Sequence, residues 1–172
     1  QLHALCARIE RALHRSPEAL PIIAVADSFV EELAQPHFDS IFEESRQRKW
    51  ADMLQASLSS RSRRVRSHAT RILARFPPLQ WMRDDEQCDC PVIQLCAEIG
   101  ELEISLDTER DFTRRLQTLD VLSRTATLPT MYARLLAHFL LGLLNNKFST
   151  IWTHATATFA TLLESHAAVV WP

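Results

Sequence analysis

The sequence predicts an all-α fold, laid out as an α-solenoid of antiparallel helix pairs. Three observations carry that expectation. Only two glycines, Gly100 and Gly142, occur in 172 residues. Sheet-rich chains turn tightly and often, and glycine is the usual residue for positive φ, so the scarcity disfavours an all-β fold. Long stretches consist of Ala, Leu, Arg, Glu and Gln, all good helix formers. Apolar residues recur at three- and four-residue spacing nearly everywhere, and no segment alternates convincingly as a strand. A hydrophobic content of 47% with 23% charged residues is that of a packed chain, which argues against disorder. The length suits one domain, or a compact piece of a larger one.

The elements follow in order. Leu2, Leu5, Ile9 and Leu13 form one apolar stripe; Ile22, Val25, Phe29 and Leu33 form a second, closed by Pro36. Phe38, Ile41 and Phe42 begin a third helix that Trp50, Met53, Leu54 and Leu58 continue. Val65, Ala69, Ile72, Leu73 and Phe76 come next, and Pro77-Pro78 stops them, since proline lacks the amide donor and clashes with the preceding turn. Residues 77–91, rich in Pro, Asp and Glu, read as a connector, with Pro91 placed for a first helical turn. A helix through Val92, Leu95, Cys96 and Ile99 fades around Gly100 to Ser105. Asp107 or Thr108 can cap the next, in which Phe112, Leu116, Leu119 and Leu122 face inward. Pro129 opens a helix through Tyr132, Leu135, Phe139 and Leu143 that stops at Asn145-Asn146. Ser149 caps a last helix with Ile151, Trp152, Phe159, Leu162 and Leu163. The total is roughly eight helices: pairs over 1–76, the connector, and pairs over 92–172, all one segment.

Charge is distributed unevenly. Residues 46–75 carry nine bases and one acid, Asp52, whereas residues 84–109 carry nine acids and no base. A net charge of −2 therefore conceals a polarised chain, whose blocks are either binding faces or solvated faces. The chain starts at Gln1 and ends at Trp171-Pro172 directly after a helical pattern, which reads as a segment of something longer. No signal peptide is expected, and the most apolar window, Leu135 to Leu144, is shorter than the ~20 residues of a membrane span.

Chemistry is sparse. With glycine only at 100 and 142, neither a G-x-G-x-x-G nor a phosphate-binding P-loop exists, and no H-E-x-x-H or G-x-S-x-G occurs. Cys88, Cys90 and Cys96 lack the paired spacing and the fourth ligand of a structural zinc site, so free thiols are expected. Asp84-Asp85-Glu86 reads as a hydrated loop run. Asp107 and Asp111 sit among Arg110, Arg114 and Arg115, as surface ion pairs do. His138 reads as a satisfied core histidine and His68 as solvent-facing. The sequence points to no catalytic constellation, cofactor, metal or small-molecule substrate.

Six arginines fall between Arg61 and Arg75 with no acid among them. Within this run, Val65-Arg66-x-x-Ala69-x-x-x-Leu73 resembles the signature of the second helix of a HEAT repeat. Its apolar positions share one face, and small Ala69 permits close helix approach. Arg66, at the helix start, can lay its stem on apolar surface and reach acids in the preceding turn or repeat. Arg61, Arg63 and Arg64 precede the helix, and Arg71 and Arg75 lie on its polar side. These five are the candidates for RNA or phosphate contact, because guanidinium forks match phosphate and would hold RNA backbone without reading bases. A protein partner and plain solvent remain open alternatives.

The C-terminal half carries a more specific likeness. Phe139 to Leu144 (F-L-L-G-L-L), then Phe148-Ser149-x-x-Trp152, and a helix closing on Glu164 and Trp171 resemble the hallmark of the DRIM ("down-regulated in metastasis") family. Upstream, the helix over 92–99, its acidic turn and the helix around Arg110 resemble that family's preceding segment, so the likeness covers roughly residues 50–171. Asn145-Asn146-Lys147 and the acidic loop at 83–90 depart from it. The resemblance implies a nucleolar HEAT-repeat scaffold of the small-subunit processome. It also implies a non-enzymatic part in 18S pre-rRNA processing, with processome proteins and a pre-rRNA and snoRNA particle as partners, and no membrane. Gly142 is expected to let two helices approach closely, with Phe148 and Trp152 as a packed aromatic pair. The other readings are a karyopherin-like transport or adaptor module, a nucleic-acid repair enzyme of HEAT architecture, and a plain helical interaction domain.

Overall fold

The computed structural model describes residues 1–76, 92–103, 105–125 and 128–170. Among them are nine α-helices and no strand: α1 (Leu2–Arg15), α2 (Leu20–Glu32), α3 (Gln35–Ile41), α4 (Glu44–Leu58), α5 (Arg63–Ala74), α6 (Val92–Glu101), α7 (Glu109–Thr125), α8 (Thr130–Leu143) and α9 (Ser149–Val170). The fold is all-α. The connector read at 77–91, with Cys88, Cys90, the Asp84–Glu86 run and Pro91, lies outside the described residues, as does Trp171.

Helix contacts trace a ladder. One rail runs α1–α4–α8–α9 and the other α2–α5–α6–α7; the rungs are α1/α2, α4/α5, α8/α6 and α9/α7. Helix α3 packs on α1 at the side. The first two rungs join helices consecutive in the chain. The last two do not: the chain runs along the second rail through α6 and α7 before crossing to α8 and α9.

Each helix presents an apolar face to this ladder, but two faces are turned from where the sequence spacing puts them. In α1 the core takes Cys6, Ile9 and Leu13 together with Glu10, while Leu2 and Leu5 are exposed. In α2 it takes Ile23, Ala26, Val30 and Asp27, and Val25 is 57% exposed. The reason is the same in both cases. A carboxylate is buried against a base from the next rung, so the inward face includes a position that polarity alone assigns to solvent.

The stretch expected as one helix from Phe38 to Leu58 is broken at Phe42, whose backbone leaves the helical region (φ −102°, ψ 61°). The Gln47 side-chain amide donates to the Phe42 carbonyl at 2.7 Å, satisfying the group that the break exposes. Pro36 opens α3, where its fixed φ is favourable, and α2 has already ended at Glu32. The break lets Phe42 stand edge-on to Trp50, with centroids 5.0 Å apart, and 5.2 Å from Phe76 at the end of α5.

The helices α5 and α8 keep the expected stripes: Val65, Ala69, Ile72 and Leu73 in one, Tyr132, Leu135, Phe139 and Leu143 in the other, all buried. Where the rails cross, Gly142 of α8 lies on the α4–α5 turn. A Cβ there would stand 2.1 Å from the Leu58 carbonyl oxygen and 2.5 Å from Arg66 Cδ, so only glycine fits.

Candidate functional site

The arginines of the α4–α5 turn and of α5 divide into three kinds. Arg66 is a packing residue, with 4% of its surface exposed. Its guanidinium donates to the carbonyls of Ser60 (2.7 Å) and Arg61 (3.2 Å), and across 80 residues to Asn146 Oδ1 (3.0 Å). The sequence suggests acids as partners; the structure supplies carbonyl dipoles and an amide. Burial, and then the nearby charge of Arg63, push its pKa below the ordinary arginine value.

The second kind ties neighbouring helices together. Arg71 donates from Nε (2.9 Å) and Nη2 (2.5 Å) to Asp27 Oδ2 on α2, and its Nη1 lies 3.2 Å from Glu101 on α6. Burial lowers its pKa, but the bonds and charge of Asp27, with Glu101 and Glu31, outweigh this and raise it. Arg75 reaches Glu31 at 3.4 Å, and Arg63 donates to the Leu102 carbonyl at the end of α6. One helix further, Arg115 of α7 meets Glu98 of α6 at 3.4 Å. The whole second rail is thus joined by acid–base contacts from α2 to α7. His68, expected toward solvent, instead places Nδ1 2.8 Å from Asp27 Oδ2.

The third kind is free. Arg61 and Arg64 are exposed, and no side-chain partner stands by them among the described residues. Of the five candidate contacts, Arg63, Arg71 and Arg75 are engaged with the protein itself, and the available pair is Arg61 and Arg64. Sequence spacing could not separate them, because the partners lie 30 to 44 residues away in the chain.

On the first rail the counterpart is Glu10, buried between α1 and α4. Its carboxylate accepts from Lys49 Nζ (2.7 Å), Trp50 Nε1 (3.0 Å) and Arg46 Nε (2.9 Å). Burial pushes the carboxyl up, yet the bonds from Lys49 and Trp50 and the charges of Lys49 and Arg46 together hold it below the ordinary value. Cys6 lies beside it, and burial followed by the Glu10 charge pushes the thiol up to about 11, which makes it a poor nucleophile at neutral pH.

Between α5, α6 and α7 runs an open groove of about 650 Å³, floored by Ala74 and Ala97 and walled by Arg71, Arg75, Glu98, Glu101, Glu103 and Arg115. Its charges are mixed: Arg71 pairs with Glu101 and Arg115 with Glu98, while Arg75 turns to Glu31. His138 is half-buried, 3.4 Å from Ser59 Oγ, and burial lowers its pKa. Trp152, expected in the core with Phe148, is 42% exposed, and its indole donates to the Asn146 carbonyl at 2.8 Å. It ties the start of α9 back to the α8–α9 turn and is not part of the core. Among the described residues no three His, Cys, Asp or Glu side chains gather as a metal ion would require, and no helix is long and apolar enough to cross a membrane. Against family models, curated proteins and solved structures, the chain has no match.

Proposed function

We propose that this chain is a non-enzymatic scaffold segment of a nucleolar ribosome-biogenesis factor of the DRIM type, acting in the small-subunit processome during 18S pre-rRNA processing. One observation carries the reading most. The F-L-L-G-L-L run and the Phe148 to Trp152 segment, which bear the resemblance, form the joint between the halves of the molecule. Gly142 seats on the Leu58 carbonyl, Asn146 takes Arg66, and Trp152 clamps the Asn146 carbonyl. Such a motif serves shape, as a scaffold requires. The buried charged side chains Glu10, Asp27 and Arg66 join one element to another, which leaves function to the outer surface. A HEAT-like array is supported by the first two rungs, where consecutive pairs stack like on like; the second half is threaded differently.

The test is RNA crosslinking with peptide mapping on the full-length protein in its native particle, beside a variant with Arg61→Glu and Arg64→Glu. Crosslinks over residues 61–64 that vanish while the variant still enters the particle support the reading. Their absence, or a protein that never enters such a particle, refutes it. The alternative, a transport or adaptor module for peptide partners, draws on the open groove with Glu98, Glu101 and Glu103 on its walls. It predicts that basic peptides are retained by the wild-type chain and released on Glu101→Lys.

A further inference from the structure

The strongest unassigned surface lies on α1, in a region whose sequence shows no unusual run of charge. The helix buries Cys6, Ile9, Glu10 and Leu13. Arg8, Arg11 and Arg15 fall within about 60° of each other on the opposite side and advance about 10 Å along the axis. All three are exposed. Arg8 and Arg15 have no side-chain partner among the described residues, and Arg11 reaches only the Ala7 carbonyl of its own helix, at 3.3 Å.

Around the same helix the exposed His3 and His14 flank this row, and Glu10 draws Lys49 and Arg46 of α4 up against its edge, with the Lys49 side chain 59% exposed. The acid that organises them lies beneath, buried. Glu18, in the turn after α1, is the only exposed acid within residues 1–30. Arginines at i, i+3 and i+7 repel one another on an isolated helix, so this spacing is unfavourable unless something anionic lies across it. The contrast with α5 is direct: there, Arg71 and Arg75 are met by acids from neighbouring helices, whereas on α1 none arrives.

We propose that the α1 face, edged by Lys49 and Arg46 of α4, is a docking surface for the phosphate backbone of double-stranded RNA. Charge complementarity identifies the occupant. Arginine forks pair bidentately with phosphate oxygens, and a row about 10 Å long spans more than one phosphate. Around the row lie the small side chains of Ala4, Ala7 and Ala12, and α1 carries no Phe, Tyr or Trp on which a base could stack. Single-strand binders use such aromatic platforms, which α1 lacks. Recognition is therefore of backbone and shape, without base readout. The inference does not depend on the processome reading, because the surface is complete in this chain.

The experiment uses the 172-residue chain and a labelled RNA duplex of about 16 base pairs, two minor grooves long. Fluorescence anisotropy is measured from about 50 to about 200 mM salt, where phosphate contacts are most legible. Arg8→Gln with Arg11→Gln and Arg15→Gln is expected to weaken binding about ten-fold or more and to flatten the log–log salt slope by about 1 per arginine. Arg114→Gln with Arg124→Gln, exposed on α7 and paired only within that helix, should leave the Kd within about two-fold. Circular dichroism melts report folding, and the three single variants, each flattening the slope, serve if the triple is destabilised. Unchanged binding in the triple and the singles, or no duplex binding by the wild type, overturns the proposal. Equal competition by a polyglutamate peptide or by phosphatidylserine vesicles overturns it too, and would make the face a general anion or membrane surface.

Discussion

The first rung and the central joint both bury charge, and they do so in opposite ways. At α1 and α2, buried carboxylates (Glu10 and Asp27) are met by cations from the next rung. At the joint, a buried cation (Arg66) is met by two backbone carbonyls and an amide, with no carboxylate. The first arrangement is a pair of titratable partners. At Glu10 its strength depends on the carboxylate being ionised, and so on pH. The second sets a permanent charge against dipoles that do not titrate. It is indifferent to pH in the acid range but depends on geometry, since each carbonyl must lie where a rigid guanidinium fork reaches. Variants at the joint should therefore destabilise across the acid and neutral range, and variants at Glu10 only while its carboxylate is ionised.

The largest effect is expected at the joint's contact point. Gly142→Ala forces a methyl into the Leu58 carbonyl and should cost about 3 kcal/mol or more in denaturant unfolding. Gly100→Ala meets only Thr70 Oγ1 at 3.1 Å and gains helix propensity, so it should stay within about 1 kcal/mol of wild type. Arg66→Met should cost about 2–3 kcal/mol, equally at pH 4 and pH 8, because Asn146 and the Ser60 carbonyl lose their donor inside the protein. Arg66→Lys should rescue little, since one ammonium cannot span three acceptors. A strong pH dependence in either Arg66 variant would erase the distinction between the two regions.

Glu10→Gln is expected to cost about 2 kcal/mol at neutral pH, and to do so conditionally. The folded carboxyl titrates below its ordinary value of 4.5. Its contribution is thus complete above that value and disappears as pH falls through the folded pKa. Wild type and variant should converge in acid melts; parallel curves would mean that Glu10 acts by packing alone. His138 gives a smaller effect in a higher window. Burial holds its folded pKa beneath the ordinary 6.5, so the unfolded chain takes up the proton first and stability declines as pH drops below 6.5. His138→Gln should remove that decline, worth less than about 1 kcal/mol. Arg75→Gln, whose exposed pair with Glu31 is solvent-screened, should change stability by under about 0.5 kcal/mol at any pH.

What the sequence made legible follows from which interactions are local. The stripes of α5 and α8 are readable because their buried faces are apolar but for Arg66, whose stem is long, and Thr70, which bonds back to its own helix. The faces of α1 and α2 are not, because Glu10 and Asp27 look like surface residues until bases from 36 to 44 positions away cover them. The Phe42 break was equally hidden: it depends on one glutamine amide reaching a carbonyl five residues back. In the candidate site, the length of the arginine run was plain, but its division was not. Arg63, Arg71 and Arg75 are engaged by α2 and α6, and the spacing inside α5 contains no trace of either. Apolarity alone puts Trp152 in the core, yet its indole donates to the Asn146 carbonyl in the α8–α9 turn and its ring stays partly exposed.

The threading of the ladder has a consequence in time as well as in space. As the chain leaves the ribosome, α1 to α5 complete two rungs from consecutive helices and can pack at once. Helices α6 and α7 then extend one rail while the opposite rail still ends at α4. They must wait for α8, which seats itself on α4 through contacts some 80 residues apart, such as Gly142 on the Leu58 carbonyl. Closing so long a loop is slow relative to local pairing. During synthesis the apolar faces of α6 and α7 therefore stand open until α8 and α9 emerge, which makes this interval the point at which chaperone binding or aggregation would be decided.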